Sequence, residues 1–122
     1  MVFDHIGFNV KNFARSKVFY LQALAPLGIG VLMEDDRSAM IGRKDEGAFW
    51  FGSYATPATP VHLAFHAKDR EQVRQFHAAA LAAGGKDNGA PGIRADYHPN
   101  YYAAFVIDPD GHNVEAVCHA AE

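Results

Sequence analysis

The feature that most constrains this chain is a repeat within it. The segment DHIGFNVKNFARSKVFYLQALAPLG, Asp4 to Gly28, lies without a gap on VHLAFHAKDREQVRQFHAAALAAGG, Val61 to Gly85. At a constant offset of 57, His5 meets His62, Phe8 meets Phe65, Lys11 meets Lys68 and Phe19 meets Phe76. Ala23, Ala25 and Gly28 meet Ala80, Ala82 and Gly85. Two units of this length are too few for a solenoid, which needs several repeats to bury a continuous core. Two fused copies of one small module fit better, and 122 residues suffice for a single domain with a proper core.

Each copy runs through the same order of elements. VFDHIGFNV alternates and is rich in strand formers, so it reads as a strand. Asn12 is placed to cap a helix whose apolar stripe is Phe13, Val18, Phe19 and Leu24, and Gly28 and Gly30 end it. Short strands are expected over Ile29 to Met33, Ser38 to Ile41 and Ala48 to Tyr54. The second copy opens with a strand from Val61 to Ala67. Asp69 and Gln72 then form a capping box for a helix that buries Val73, Phe76, His77, Ala80 and Leu81. AGGKDNGAPG breaks the chain, and YYAAFVI and HNVEAVC make a hairpin across DPDG. The expected class is α+β, two modules that each run strand, helix and three strands. Module 1 spans 1–55 and module 2 spans 60–119, with TPATP, Thr56 to Pro60, between them.

Strand alternation sorts the side chains. Ile6, Phe8 and Val10 share the face that carries the helix, which leaves His5 on the other. Leu63 and Phe65 leave His62 and His66 opposite in the same way. In the last strand Glu115 shares a face with Val117 and His119, while Cys118 points away as a small buried hydrophobe. Two imidazoles and one carboxylate are a common ligand set for a divalent ion with open positions. An unpaired carboxylate in mid-strand would be expensive, and a cation at His5, His62 and Glu115 would remove that cost.

DHIGFNV with FARSKVFY, then VHLAFHA, then DPDGHNVEAV resemble the vicinal oxygen chelate superfamily. That family holds glyoxalase I, bleomycin- and fosfomycin-resistance proteins and extradiol dioxygenases. The resemblance covers nearly the whole chain, and DPDGHNVE is its most specific piece. It implies two βαβββ modules forming a curved open mixed sheet that cups a metal, with ligands from the first and last strands of each. His5, His62 and Glu115 match three of those positions. Aligning Glu46-Gly47 with Asp110-Gly111 puts Phe51 at the fourth, where glyoxalase I has a carboxylate, so the expectation turns away from that activity. The resemblance also implies a homodimer, with the site within one chain or shared across two.

The expected chemistry is Lewis-acid catalysis by one divalent ion (Fe, Mn, Ni, Zn or Co) in a lyase, isomerase or transferase acting on a small oxygen-rich molecule. The alternatives are an Fe(II) ring-cleaving dioxygenase and a metal-free, drug-sequestering protein of the bleomycin-resistance kind. The segment from Ala90 to Phe105 reads as a long functional connection. In it Arg94 and Tyr97 are expected to line a pocket, and His98, Tyr101 and Tyr102 are the catalytic candidates. His66, Trp50 and Phe51 join the pocket list. His77 reads as a core or interface residue, His112 as an exposed turn residue, and His119 as a cup-lining or frayed one.

Composition excludes other classes. A net charge of −3 without a basic stripe argues against nucleic acid. No apolar run reaches the length of a membrane span, and the N-terminus lacks the pattern of a signal peptide. One cysteine precludes an internal disulfide framework, and the cytoplasm is the default compartment.

Overall fold

The computed structural model describes residues 4–56 and 60–122. Most of the expected linker falls on 57–59 and lies outside the described residues. The elements run β1 His5–Asn9, α1 Phe13–Leu24, a single 3-10 turn Ala25–Leu27, β2 Gly30–Glu34, β3 Ser38–Gly42 and β4 Ala48–Gly52. The second copy gives β5 His62–His66, α2 Arg70–Ala82, β6 Lys86–Ile93, β7 Tyr102–Ile107 and β8 Asn113–Cys118. Each copy makes a four-stranded mixed sheet, ordered β1-β4-β3-β2 and β5-β8-β7-β6. β1 runs parallel to β4 and β5 parallel to β8, and the other pairings are antiparallel. β1 and β5 are therefore edge strands.

The helices start where the sequence places them. The Arg15 amide donates to Asn12 Oδ1 at 3.0 Å, and the Gln72 amide donates to Asp69 Oδ1 at 2.8 Å. Their buried faces differ in detail from the expected stripes. α1 buries Ser16, Phe19, Tyr20, Ala23 and Leu24 and leaves Val18 exposed. α2 buries Val73, Phe76 and Ala80. β6 is a strand where a break was expected. It tolerates Gly89 and Pro91 because it is an edge with two register shifts, so part of its ladder needs no donor.

One apolar core joins both copies. It runs from Phe19, Tyr20 and Phe51 through Phe76 to Val106, Val114 and Ala116. The polar clasp across it is the turn DPDGH. Asp108 is buried, and its Oδ1 accepts from the amides of Asp110 and His112, both at 2.8 Å. Its Oδ2 accepts from the Tyr20 hydroxyl at 2.6 Å, which reaches across from the other copy. Asp110 accepts from the Lys11 amide at 3.1 Å and the Ser16 hydroxyl at 3.2 Å. His112, expected to be exposed, is 1% accessible. It is buried because its Nδ1 accepts from the Val61 amide at 2.9 Å and its ring meets Phe8 edge-on at 4.8 Å. Burial and the Asp108 carboxylate hold the Tyr20 phenol well above its ordinary pKa, so it stays a donor.

Tyr20→Phe deletes the donor and leaves a buried carboxylate oxygen unmatched. We expect a loss of about 1–3 kcal/mol, read from chemical denaturation midpoints at unchanged m-value.

Candidate functional site

Glu115 sits in the middle of β8, flanked by Ala64 of β5 and Phe105 of β7. The alternate residues Val114, Ala116 and Cys118 enter the core, which turns Glu115 to the face away from the helices. Its side chain is nevertheless only 2% exposed. The Tyr101 hydroxyl donates to one carboxylate oxygen, Oε2. The other, Oε1, lies 2.9 Å from His62 Nε2. Among the described residues no lysine or arginine pairs with it.

The other nitrogen of His62 is already committed. Nδ1 is 3.0 Å from the Asn113 carbonyl oxygen, and only an N–H can face a carbonyl there. A neutral ring so held would turn the Nε2 lone pair toward Glu115, and a protonated ring would donate to it. Two acceptors at this distance need a proton or a cation between them. A divalent ion meets the requirement, and an imidazole held at Nδ1 by a carbonyl with Nε2 free is the usual posture of a metal ligand. His5 has the same posture. Its Nδ1 is 2.7 Å from Asp4 Oδ1, and its side chain is 57% exposed. The residues present thus fit a metal in ligand type and ring orientation. Within one chain, however, His5 does not join His62 and Glu115 in a cluster of ligand atoms among the described residues.

Two further imidazoles, His98 and His119, border Tyr101. The Asn100 amide donates to His98 Nδ1 at 2.9 Å, so the neutral His98 carries its proton on Nε2. That proton points to His119 Nδ1 at 3.0 Å. His119 in turn meets Tyr101 edge-on at 5.2 Å and lies parallel to His66 at 6.4 Å. Burial first, then the Glu115 carboxylate, push the Tyr101 phenol up to about 12.

Other expected residues are placed differently. Tyr102 turns to the helix face, where Arg74 donates to its hydroxyl at 3.2 Å and Arg70 covers its ring at 5.1 Å. It is no part of the Glu115 group. Phe51 is fully buried among Phe8, Phe13, Tyr20 and Phe49, on the core side of its strand. The register explains why. Gly7 pairs with Trp50 as Ala64 pairs with Glu115, so Trp50 is the counterpart of Glu115. The turns 43–47 and 108–112 are equally long, but the glycine of positive φ is the last residue of one and the fourth of the other. Aligning the glycines slips the strand by one residue and reverses its faces. Arg94 commits two donors to the carbonyls of Gly92 and Ala90, both at 2.8 Å, and its guanidinium lies over Phe105 at 5.3 Å. Tyr97 is exposed beside Tyr101.

Asp108, Asp110 and His112 do place ligand atoms within 4.8 Å of one another. Their oxygens and Nδ1 already accept the hydrogen bonds of the clasp, and a cation would have to displace them. An apolar cavity of about 320 Å³ between the copies, walled by Ile6, Ile41, Phe49, Leu63 and Phe65, touches the Glu115 side only through Ala64 and His66.

The model of the Glyoxalase/Bleomycin resistance protein/Dioxygenase superfamily matches residues 2–116. The chain belongs to this superfamily. A glyoxalase/bleomycin resistance protein from Albidiferax ferrireducens is 31% identical over 98% of this chain and 100% of its own, with a TM-score of 0.85. A putative glyoxalase from Bacillus halodurans is 26% identical over 96% of this chain and 95% of its own, with a TM-score of 0.74. A glyoxalase I mutant from Zea mays shares the fold at 21% identity, a TM-score of 0.71, and coverage of 98% of this chain and 44% of its own. No curated protein matches the chain. No helix among the described residues is long and apolar enough to cross a membrane. Superfamily membership gives the fold, and the activity has to come from the site.

Because the folded state raises the Tyr101 pKa from 10.0 to about 12, it holds that proton more tightly than the unfolded chain. The associated stability is complete below pH 10 and lost as the pH rises through 12. Titration of phenolate absorbance should show a late component near pH 12 that Tyr101→Phe removes.

Proposed function

We propose that this superfamily member is a divalent-metal-dependent enzyme of the lyase, isomerase or transferase kind, acting in the cytoplasm on a small oxygen-rich molecule. The observation that supports it is the approach of His62 Nε2 to the buried Glu115 carboxylate at 2.9 Å, with no lysine or arginine paired to that carboxylate among the described residues. His62, Glu115 and His5 would hold the ion, and this set suits Fe, Mn, Ni, Zn or Co. Such an ion polarises substrate oxygens as a Lewis acid.

The chain's own residues hold and move the protons. The Asn113 carbonyl fixes the His62 ring, and the Tyr101 hydroxyl orients Glu115 Oε2. Tyr101, kept neutral, and the His98–His119 pair are the proton carriers nearest the site. His5 comes from a second copy of the chain in a homodimer. What supports this is the exposure of His5 and the free edges of β1 and β5.

Two observations favour other readings. His98 and Tyr101 beside Glu115 suit an Fe(II) ring-cleaving dioxygenase. Trp50 at the counterpart of Glu115 suits a metal-free, drug-sequestering protein.

Metal content measured by mass spectrometry on untagged protein separates the three. We expect about one ion per chain, lost in His5→Ala, His62→Ala and Glu115→Ala. Iron with O₂ uptake on catechols would give the dioxygenase. No metal after reconstitution with Mn, Fe, Ni and Zn would overturn the enzyme reading in favour of the binding protein.

A further inference from the structure

The two copies present different chemistry on the faces turned away from their helices. The second carries His62, Glu115 and Tyr101. In the first, Trp50 takes the place of Glu115, and its indole fills the space over Gly7. A Cβ on Gly7 would lie 2.7 Å from Trp50 Cε3.

Trp50 is one layer of a column. Tyr54 folds back over Gly52, where a Cβ would lie 2.9 Å from its Cε2, and stacks on Trp50 at 5.6 Å with only 16° between the planes. The Arg37 guanidinium covers the Tyr54 ring at 4.2 Å. The column therefore reads guanidinium, phenol, indole, and among the described residues no other ring stacks on Trp50. The next side chain along β4 on the same face is Ala48, only a methyl group, and its partner across the ladder is His5. The column thus stops one layer short, beside the imidazole assigned to the metal.

We infer that this face is a stacking platform for a planar aromatic ring of the ligand, which lies on Trp50 above Ala48, and that Trp50 selects aromatic over saturated ligands. The inference rests on the reading that His5 belongs to the ligand site. Stacking needs a flat π-face and no hydrogen-bond pattern, so it selects ring class and leaves substituents to the second copy. Asp35 accepts three hydrogen bonds from Arg37 and Ser38 at the guanidinium end of the column, which keeps its carboxylate away from the open end at Trp50.

Trp50 is the only tryptophan of the chain and is its own reporter. The probes are 2-naphthol and its saturated counterpart decahydro-2-naphthol, on full-length protein stripped of metal by a chelator. 2-Naphthol should shift the single indole N–H resonance saturably, and the saturated probe should not. In calorimetry, Trp50→Leu and Gly7→Ala should each weaken 2-naphthol binding about tenfold. Gly7→Ala displaces the indole while keeping it, so the proposal stays testable if Trp50→Leu fails to fold. Equal affinity for both probes, or affinity unchanged in either folded variant, overturns the platform. Because no metal is present, this outcome is independent of whether the chain is a metalloenzyme.

Discussion

The buried carboxylate of Asp108 is the point on which the rest of the structure turns. It accepts two amides of its own turn and one phenol from the opposite copy. The first two bonds shape the β7–β8 turn, and the third ties that turn to α1. Without them a buried charge would stand alone, at a cost no apolar contact offsets. Asp110 and His112 extend the same clasp to Lys11, Ser16 and Val61. Glu115 follows three residues after this fixed turn, so the clasp sets both the register of β8 and the depth at which its carboxylate sits.

That depth gives Glu115 its character. Side chains on the outer face of a sheet are normally wet, and this one is closed in by Tyr101, His62 and Phe105. A carboxylate so enclosed favours any positive group that can reach it. Duplication placed a histidine at matched sites in β1 and β5. Two residues further along each strand, the partner across the ladder is a carboxylate in one copy, Glu115 opposite Ala64, and an indole in the other, Trp50 opposite Gly7. One ancestral geometry thus carries a polar, proton-handling surface in one copy and a flat apolar one in the other.

Much of the fold was legible in the sequence, because the repeat fixed the order of elements and alternation assigned the faces of β1, β5 and β8. The caps at Asn12 and Asp69 were legible for the same local reasons. β6 was not, since glycine, asparagine and proline argue against a strand unless its edge position is known. Of the site, strand alternation placed His62 and Glu115, with His5, on the face away from the helices, but it could not show which of the two histidines reaches the carboxylate within one chain. The slip that exchanged Phe51 for Trp50 was not, because two turns of equal length carry their glycines at different places. Tyr102 was misplaced for a related reason: a run of tyrosines gives no sign of which one alternation sends toward the helix. His112 looked like an ordinary turn residue because its partners, Val61 and Phe8, are remote in sequence.

The four sheet edges are not alike. β2 carries a register shift between Val31 and Met33, and β6 carries two shifts and a proline. Such distortions keep a foreign strand from adding to an edge, and natural sheets use them against aggregation. β1 and β5 pair with their neighbours in unbroken register and carry no proline. The β2 and β6 rims are thus guarded against strangers, while the β1 and β5 rims, which bear the two matched histidines, keep every ladder position in regular register.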